Sequence, residues 1–535
     1  MASEAPVTVF YGTFVDLPRV KPGENHELAI HHGALWVSSA TGRIEGLDWS
    51  ISSEEQLARL FKLNGWSDRV KIVRAREEAN EFFFPGFIDT HIHAPQYPNS
   101  GLFGSSTLLD WLKTYTFPLE SSMENLSTAQ TAYNTVISRT LANGTTFASY
   151  FATIHVGATN LLATLCHARG QRALIGRVCM DNPDTCPSYY RDSDAAQSLA
   201  ATRENIAHIR ALDPEGRLVK PVITPRFAPS CTVDVLSGLG SLAGEHDPPL
   251  HIQTHISENK DEVELVKSLF PGFDSYAGVY EACSLLTRRT ILAHAVHLTA
   301  GEMELIASRS SGVSHCPASN SALGSGIAPV RELLDKGVTV GLGTDVSGGY
   351  SPSILEATRQ ACLVSRLLKH ATPSTSEDAG MGKGREVLSV EEALYLATRG
   401  GAAVVDMADD LGGFELGMLF DVQLIRLGSA VSSPDAVQQR GATTSSASES
   451  VVDIFGWESW REKVHKWVWT GNDRNVRSVW VGGVLVHSLD CGLERGNSLV
   501  GILAELAGGG GWWKWIAGGV GIGALGWVLG RRRIL

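Results

Sequence analysis

Between residue 82 and about residue 400, short apolar runs alternate with segments whose apolar residues recur at helical spacing. Short runs of this kind, bounded by turn residues, are typical of buried strands, so the pattern predicts strands alternating with helices. Eight strands joined by helices predict a (β/α)8 barrel. The predicted strands are 82–88, 145–151, 172–179, 219–224, 250–254, 290–293, 312–315 and 338–342. Predicted helices include 127–143, 261–269 and 302–308.

The two flanks of this region have a different pattern. Before residue 81, β-like runs at 7–15, 27–37 and 70–74 are separated by Pro, Gly and Asn, and similar runs return at 421–426 and 477–486. We therefore predict a distorted barrel at 81–403 and a small β-sandwich accessory domain built from both termini, 1–80 and 404–495. A Ser-rich insertion, 428–450, interrupts the second part.

Polar residues with catalytic potential follow the predicted strands. His91 and His93 end the first strand and point the same way, because side chains alternate along a strand. An H-x-H pair is weak evidence alone, since 17 histidines in this chain make about half a pair expected by chance. The metal-site interpretation of this pair is supported by two later predicted strands, which are followed by His255 and Asp345. In a barrel all these ends form one rim.

His91, His93, His255 and Asp345 would supply three nitrogens and one oxygen, a donor set that suits zinc. Zinc lowers the pKa of water to about 7, which provides a hydrolase with its nucleophile. His294, at the end of the sixth strand, is either a fifth ligand or a neighbouring group that stabilises charge, and we favour the second role.

Glu258 follows His255 by three residues. It either opens the next helix, where acids are favoured, or carries a proton between water and substrate. Beside a histidine ligand we favour the catalytic role.

The composition of the chain limits the classes of molecule that it is expected to bind. A formal net charge of -12 argues against nucleic acid and favours a small-molecule substrate. The eight cysteines form no C-x-x-C pair, which predicts a reduced, cytoplasmic protein, and the first residues lack the features of a secretory signal.

The last stretch, 496–535, is rich in Gly and Trp. Within it, 512–530 carries tryptophans at one end of an uncharged run, and arginines follow the other end. The run is shorter than the roughly 20 residues that a bilayer needs. A membrane anchor and a glycine-rich tail remain alternative interpretations.

Several stretches together carry a family resemblance. Pro85-Gly-Phe-Ile-Asp-Thr-His-Ile-His93, His255-Ile-Ser-Glu258, His294 and Gly343-Thr-Asp345 resemble the amidohydrolase superfamily. From about residue 8 to about residue 490 the chain resembles its guanine deaminase family, through longer matches: His93-Ala-Pro-Gln-Tyr97, Trp111-Leu-Lys-Thr-Tyr-Thr-Phe-Pro118, Tyr150-Phe-Ala-Thr-Ile-His155, Thr224-Pro-Arg-Phe227, Ser314-His-Cys-Pro317 and Gly343-Thr-Asp-Val-Ser-Gly-Gly-Tyr350.

The resemblance implies hydrolysis of guanine to xanthine and ammonia. It makes Asp345 both a ligand and a base, Glu258 a proton carrier, and His294 part of the catalytic group. The residues implied in substrate binding are His93, Gln96, Arg226, Phe227, His255, Glu258 and Asp345. For Arg226 a structural ion pair is the alternative role.

One zinc per subunit is expected, because binuclear superfamily members place a lysine at the end of strand four, where this chain has Arg226. A homodimer is the expected assembly. Two alternative functions remain open: a related deaminase acting on another purine, a pterin, a pyrimidine or a triazine ring, and an inactive scaffold.

Overall fold

The computed structural model describes residues 6–20, 25–66, 70–371, 385–430 and 450–490. Most of the Ser-rich insertion 428–450 and the whole of the predicted tail 496–535, including 512–530, lie outside these residues. Among the described residues, no helix combines the length and the apolar character needed to cross a membrane.

The strands in chain order are β1 Val7–Asp16, β2 Ala29–Ser38, β3 Ile44–Asp48, β4 Lys71–Arg74, β5 Glu81–Pro85, β6 Phe87–His93, β7 Thr145–Phe151, β8 Arg172–Gly176, β9 Val178–Cys179, β10 Val219–Pro225, β11 His251–Ile256, β12 Thr290–His294, β13 Gly312–His315, β14 Thr339–Leu342, β15 Val422–Arg426, β16 Val476–Val481 and β17 Val484–Ser488.

The α-helices are α1 Glu54–Leu63, α2 Leu108–Trp111, α3 Phe117–Ser122, α4 Leu126–Ala142, α5 Val156–Arg169, α6 Ala195–Leu212, α7 Val233–Gly244, α8 Lys260–Leu269, α9 Tyr276–Ala282, α10 Ala300–Ser308, α11 Pro317–Ala322, α12 Val330–Asp335, α13 Ile354–Ala371, α14 Val390–Tyr395, α15 Gly401–Val404 and α16 Trp460–Thr470. A π-helical turn, Leu112–Thr116, joins α2 to α3.

The barrel is a parallel sheet whose strands pair in the order β6-β7-β8-β10-β11-β12-β13-β14, with β9 beside β10. The predicted eight-stranded (β/α)8 architecture is confirmed. Strands β7 and β13 have the bounds predicted from the sequence. The strand predicted at 172–179 is interrupted at Arg177, so it forms both β8 and β9.

The first and last barrel strands are joined by individual hydrogen bonds and not by a ladder. Asp89 accepts hydrogen bonds from the backbone and the hydroxyl of Thr344, at 3.0 and 2.5 Å. Beyond β14, the amide of Asp345 donates to the carbonyl of His91 at 2.8 Å, and the amide of His93 donates to the carbonyl of Val346 at 3.0 Å. These bonds close the barrel where the histidines lie.

Helices cover the barrel with their apolar faces. In α4, Tyr133, Val136, Ile137 and Leu141 are fully buried at helical spacing, and they belong to one core cluster with residues of β6 and β7. The helix begins at Asn125, whose side chain accepts hydrogen bonds from two first-turn amides. Burying each such side chain contributes about 1.5–3 kcal/mol.

The accessory sheet takes strands from both ends of the chain, in the order β17-β16-β15-β5-β1-β2-β3, as predicted. It branches at β1, because Thr8–Tyr11 pair with β4 while Phe14 pairs with β5. Strand β5 joins the N-terminal strands to the C-terminal strands, because it pairs with β1 on one side and with β15 on the other. Strand β3 and helices α1 and α16 were not predicted.

The predicted strand 82–88 is wrong as a single element. Residues Glu81–Pro85 form β5 of the accessory sheet, and the first barrel strand, β6, begins only at Phe87. The break lies at Gly86, where an added Cβ would come within 2.2 Å of the Thr146 side chain. The glycine thus lets the chain pass close to β7 as it leaves one sheet for the other.

Candidate active site

The first barrel strand supplies two histidines. Strand β6 continues past the predicted bound at residue 88 and ends at His93, so the two histidines do end the strand. They share one face of it, as expected from the alternation of side chains. Their ring centroids are 4.9 Å apart, and Phe151 of β7 packs against both rings. His255 lies inside its strand, β11.

Four of the predicted ligands meet at the rim. The nearest donor atoms of His91, His93, His255 and Asp345 all lie within 4.8 Å of one another. Oδ1 of Asp345 is 3.1 Å from Nε2 of His91 and 3.3 Å from Nε2 of His93, and Nε2 of His93 is 3.1 Å from Nε2 of His255. Tetrahedral zinc with bonds of about 2.0–2.1 Å separates its ligand atoms by about 3.3 Å, so the spacing fits such an ion.

The charge state of the cluster also fits a divalent cation. Burial lowers the pKa of His93 and His255 well below the usual value, so both imidazoles are neutral at pH 7. Burial acts to raise the pKa of Asp345, but the neighbouring histidines outweigh it and hold the pKa below its ordinary value. Nε2 of His91 is buried, and apart from its 3.1 Å approach to Asp345 it meets no hydrogen-bond partner among the described residues. Neutral nitrogens beside a carboxylate are the ligands that zinc prefers.

The backbone around the cluster orients these ligands. Nδ1 of His255 donates to the carbonyl of Arg226 at 2.6 Å, which leaves a lone pair on Nε2, facing the cluster. Asp345 and His294 adopt left-handed backbone conformations, with φ of 47° and 77°. Such conformations are strained in non-glycine residues and are found at functional sites.

Glu258 and His294 form a second polar group beside the ligands. Nε2 of His294 lies 3.4 Å from Oε2 of Glu258 and 3.7 Å from Oδ2 of Asp345. Nδ1 of His294 donates to Oδ1 of Asn320 at 2.9 Å, and Oε1 of Glu258 accepts a hydrogen bond from Ser325 at 3.0 Å. Burial raises the pKa of Glu258 to about 7, so this carboxyl can both accept and release a proton near neutral pH.

A pocket opens over both polar groups. Three further predicted residues, Gln96, Arg226 and Phe227, line it together with His93, His255, Glu258, His294 and Asp345. The ninth predicted site residue, His91, does not line the pocket but belongs to the ligand cluster, so all nine are brought to one place. The remaining lining is apolar: Leu108, Trp111, Leu112 and Leu323.

Comparison with known proteins agrees with this geometry. The amidohydrolase family model matches residues 82–486. The probable guanine deaminase of Schizosaccharomyces pombe is 50% identical over 418 residues, which is 78% of this chain and 74% of that protein. The guanine deaminase of Mus musculus is 39% identical over 476 residues, 89% of this chain and 95% of that protein.

The chain belongs to the amidohydrolase family, among its guanine deaminases.

Solved structures of the family have the same fold. The guanine deaminase from C. acetobutylicum, solved with guanine bound in its active site, has a TM-score of 0.73 and 30% identity, covering 90% of this chain and all of that one. The E. coli guanine deaminase has a TM-score of 0.74 and 28% identity at the same coverage. Amidohydrolases are metal-dependent, and the four-residue cluster of this chain is a site of that kind.

Sequence reasoning missed several residues of this family member's site. Trp111 begins the stretch Trp111–Pro118 that resembles the family, but the sequence alone indicates no role for it. Asn320 lies three residues after the similar stretch Ser314–Pro317. Glu120, two residues after the motif that ends at Pro118, is fully buried and contacts Gln96 and Arg226. The only sequence signal for Glu120 is its closeness to that motif, because a single acid in a helical segment is usually exposed.

Proposed function

We propose that this chain catalyses the zinc-dependent hydrolytic deamination of guanine to xanthine and ammonia. One observation carries the proposal: the ligand cluster, Glu258, Gln96 and Arg226 all lie at one pocket. The guanine deaminases that resemble the chain over most of their length support the choice of substrate.

We assign the metal site to one zinc per subunit, held by His91, His93, His255 and Asp345. The support is the three-nitrogen, one-oxygen donor set and its spacing. Zinc bound there would lower the pKa of water and so supply hydroxide near neutral pH. The other steps fall to side chains of the chain itself.

We assign proton transfer to Asp345 and Glu258. The water oxygen bonds to C2 of guanine, while its proton passes through Asp345 and Oε2 of Glu258 to a ring nitrogen. The C2–N bond then breaks, and the leaving amine takes the second proton of the water, which gives ammonia and xanthine. The raised pKa of Glu258, about 7, suits a group that both takes and returns a proton.

His294 and the purine-binding residues complete the assignment. His294 lies beside both carboxylates and can stabilise charge as the tetrahedral carbon forms. Arg226 can donate hydrogen bonds to ring acceptors, and the Gln96 amide offers one donor and one acceptor. The apolar wall of Leu108, Trp111, Leu112 and Phe227 would shield the ring from water.

Ammonia release from guanine before and after chelation tests the proposal. We expect loss of activity when the metal is removed and recovery with one equivalent of zinc per chain. Cytosine, a pterin and a triazine serve as comparison substrates. Release of ammonia from one of these but not from guanine would contradict the proposal, as would guanine turnover that survives complete removal of metal.

Four other features stay predictions: the boundaries at residues 80, 403 and 495, the homodimer, the cytoplasmic location and the membrane attachment through 512–530.

A further inference from the structure

The carboxylate of Glu120, in helix α3, accepts four hydrogen bonds from side chains outside that helix. Its side chain is fully buried, and both oxygens are engaged. Oε1 accepts from Nε2 of Gln96 at 2.7 Å and from Nη2 of Arg226 at 3.2 Å. Oε2 accepts from Nη1 of Arg226 at 2.6 Å and from the hydroxyl of Tyr190 at 2.8 Å. Glu120 itself does not line the pocket, whereas two of its partners, Gln96 and Arg226, do.

The first consequence concerns the Gln96 amide. Its Nε2 faces a carboxylate, which only accepts, while its Oε1 accepts from the backbone amide of Ser347 at 3.3 Å, which only donates. If the amide were reversed, its oxygen would face the Glu120 carboxylate and its NH2 group would face the amide of Ser347, so neither hydrogen bond could form. Gln96 therefore presents its free N–H and its free lone pair to the pocket in one fixed order.

The second consequence concerns the charge of Arg226. Two of its N–H groups are bound to Glu120, which fixes the guanidinium plane and leaves the others for the pocket. Burial lowers the pKa of Arg226, but the charge and hydrogen bonds of Glu120 outweigh this effect and raise it. The arginine is thus a cation whose charge is balanced by an adjacent anion.

We propose that Glu120 is the positioning residue of the purine pocket, holding Arg226 and Gln96 in their substrate-binding orientation and balancing the arginine so that the pocket prefers a neutral purine to an anionic one. This inference rests on the proposed function. It also explains how a product more acidic than the substrate could be released from a pocket that contains an arginine.

The test compares Glu120→Gln with the natural chain, each loaded with zinc. We expect unchanged zinc content, a KM for guanine raised about tenfold or more, and a kcat changed by less than about threefold. Calorimetry then measures the binding of xanthine, which is not turned over, at a pH where xanthine is an anion and guanine is still neutral. We compare this affinity with the KM for guanine at the same pH. We expect the preference for xanthine over guanine to rise about tenfold in Glu120→Gln, because the unbalanced arginine attracts the anion.

Glu120→Asp distinguishes the effect of the charge of Glu120 from the effect of its length. It replaces Glu120→Gln as the test variant if Glu120→Gln does not fold. The shorter carboxylate keeps the charge but cannot reach both partners, so we expect a raised KM with the ligand preference of the natural chain. Asp421→Asn, which alters a similar buried arginine pair at the other end of the barrel, is the matched control and should leave KM unchanged.

Either of two results would overturn the inference: an unchanged KM in both Glu120 variants, or equal weakening of guanine and xanthine together with loss of zinc. The second result would make Glu120 a structural residue only. Failure of the natural chain to release ammonia from guanine would instead refute the proposed function, so the two failures are distinguishable.

Discussion

The barrel buries the same chemical pair at its two ends and surrounds it differently. Arg226 and Glu120 at the carboxyl-end rim form two hydrogen bonds, at 2.6 and 3.2 Å, and Arg172 and Asp421 at the amino end form two, at 2.7 and 3.2 Å. In both pairs the side chains are at most 6% exposed. Burial and pairing alone therefore do not separate a binding residue from a structural one.

The difference lies in the other partners. Asp421 also accepts from the amide of Gly482, and Arg172 also donates to the carbonyl of Arg217, so that pair ties the barrel to the accessory strands through backbone groups. Glu120 instead binds the side chain of Gln96, which lines the pocket. A buried ion pair that contacts backbone fixes the fold, whereas one that contacts pocket side chains can position a ligand.

The largest expected effect comes from Glu258→Gln. If Glu258 is the proton carrier, as we propose, this change should reduce kcat on the order of 10²-fold or more while the metal content is retained. Steady-state kinetics and metal analysis measure the two quantities. Glu302→Gln is the matched control, since Glu302 is a buried carboxylate whose contacts cap helix α10. That variant should lose stability and keep its turnover, and an unaffected kcat in Glu258→Gln would remove Glu258 from the mechanism.

The second prediction tests whether the Arg226–Glu120 pair differs in function from the Arg172–Asp421 pair. Arg226→Ala and Arg172→Ala each leave a buried carboxylate unpaired, so each should lower the free energy of unfolding by about 3–5 kcal/mol. Only Arg226→Ala should also raise KM for guanine, by about 100-fold. Urea unfolding and kinetics on both variants provide the measurement. Equal KM values in the two variants would show that the rim pair is structural as well.

The smallest expected effect comes from Ser325→Ala. The hydroxyl of Ser325 donates to Glu258 and stabilises its ionised form, which lowers the pKa. Without it the pKa of Glu258 rises, so the acid side of the pH profile of kcat should move to higher pH, with a loss of a few-fold at neutral pH. A shift toward lower pH would mean that a different group controls that side of the profile.

Much of the site could be predicted from the sequence because its residues follow apolar strands. His91, His93, His255 and Asp345 each end or follow such a run, and the barrel rule then brings them together. Glu120 could not be predicted, because its partner Arg226 is 106 residues away and nothing in a helical segment reveals a long-range contact.

The strands of the fold could be predicted from the sequence, but the sheet to which each strand belongs could not. An apolar run predicts a strand but not the sheet that the strand joins. For that reason the residues now seen in β5 and β6 were predicted as one element. Helix α1 was missed within a region interpreted as β, although Ser53 caps its first turn and acids follow directly.

The closure of the barrel makes metal binding a measure of how far the barrel has folded. His91 and Asp345 belong to opposite ends of the sheet, and the amide of Asp345 bonds to the carbonyl of His91 only when those ends meet. A growing polypeptide that ends before Asp345 would hold three of the four predicted ligands, and its first barrel strand, β6, would pair with β7 alone. Metal uptake during synthesis should therefore begin only after β14 and Asp345 have been made.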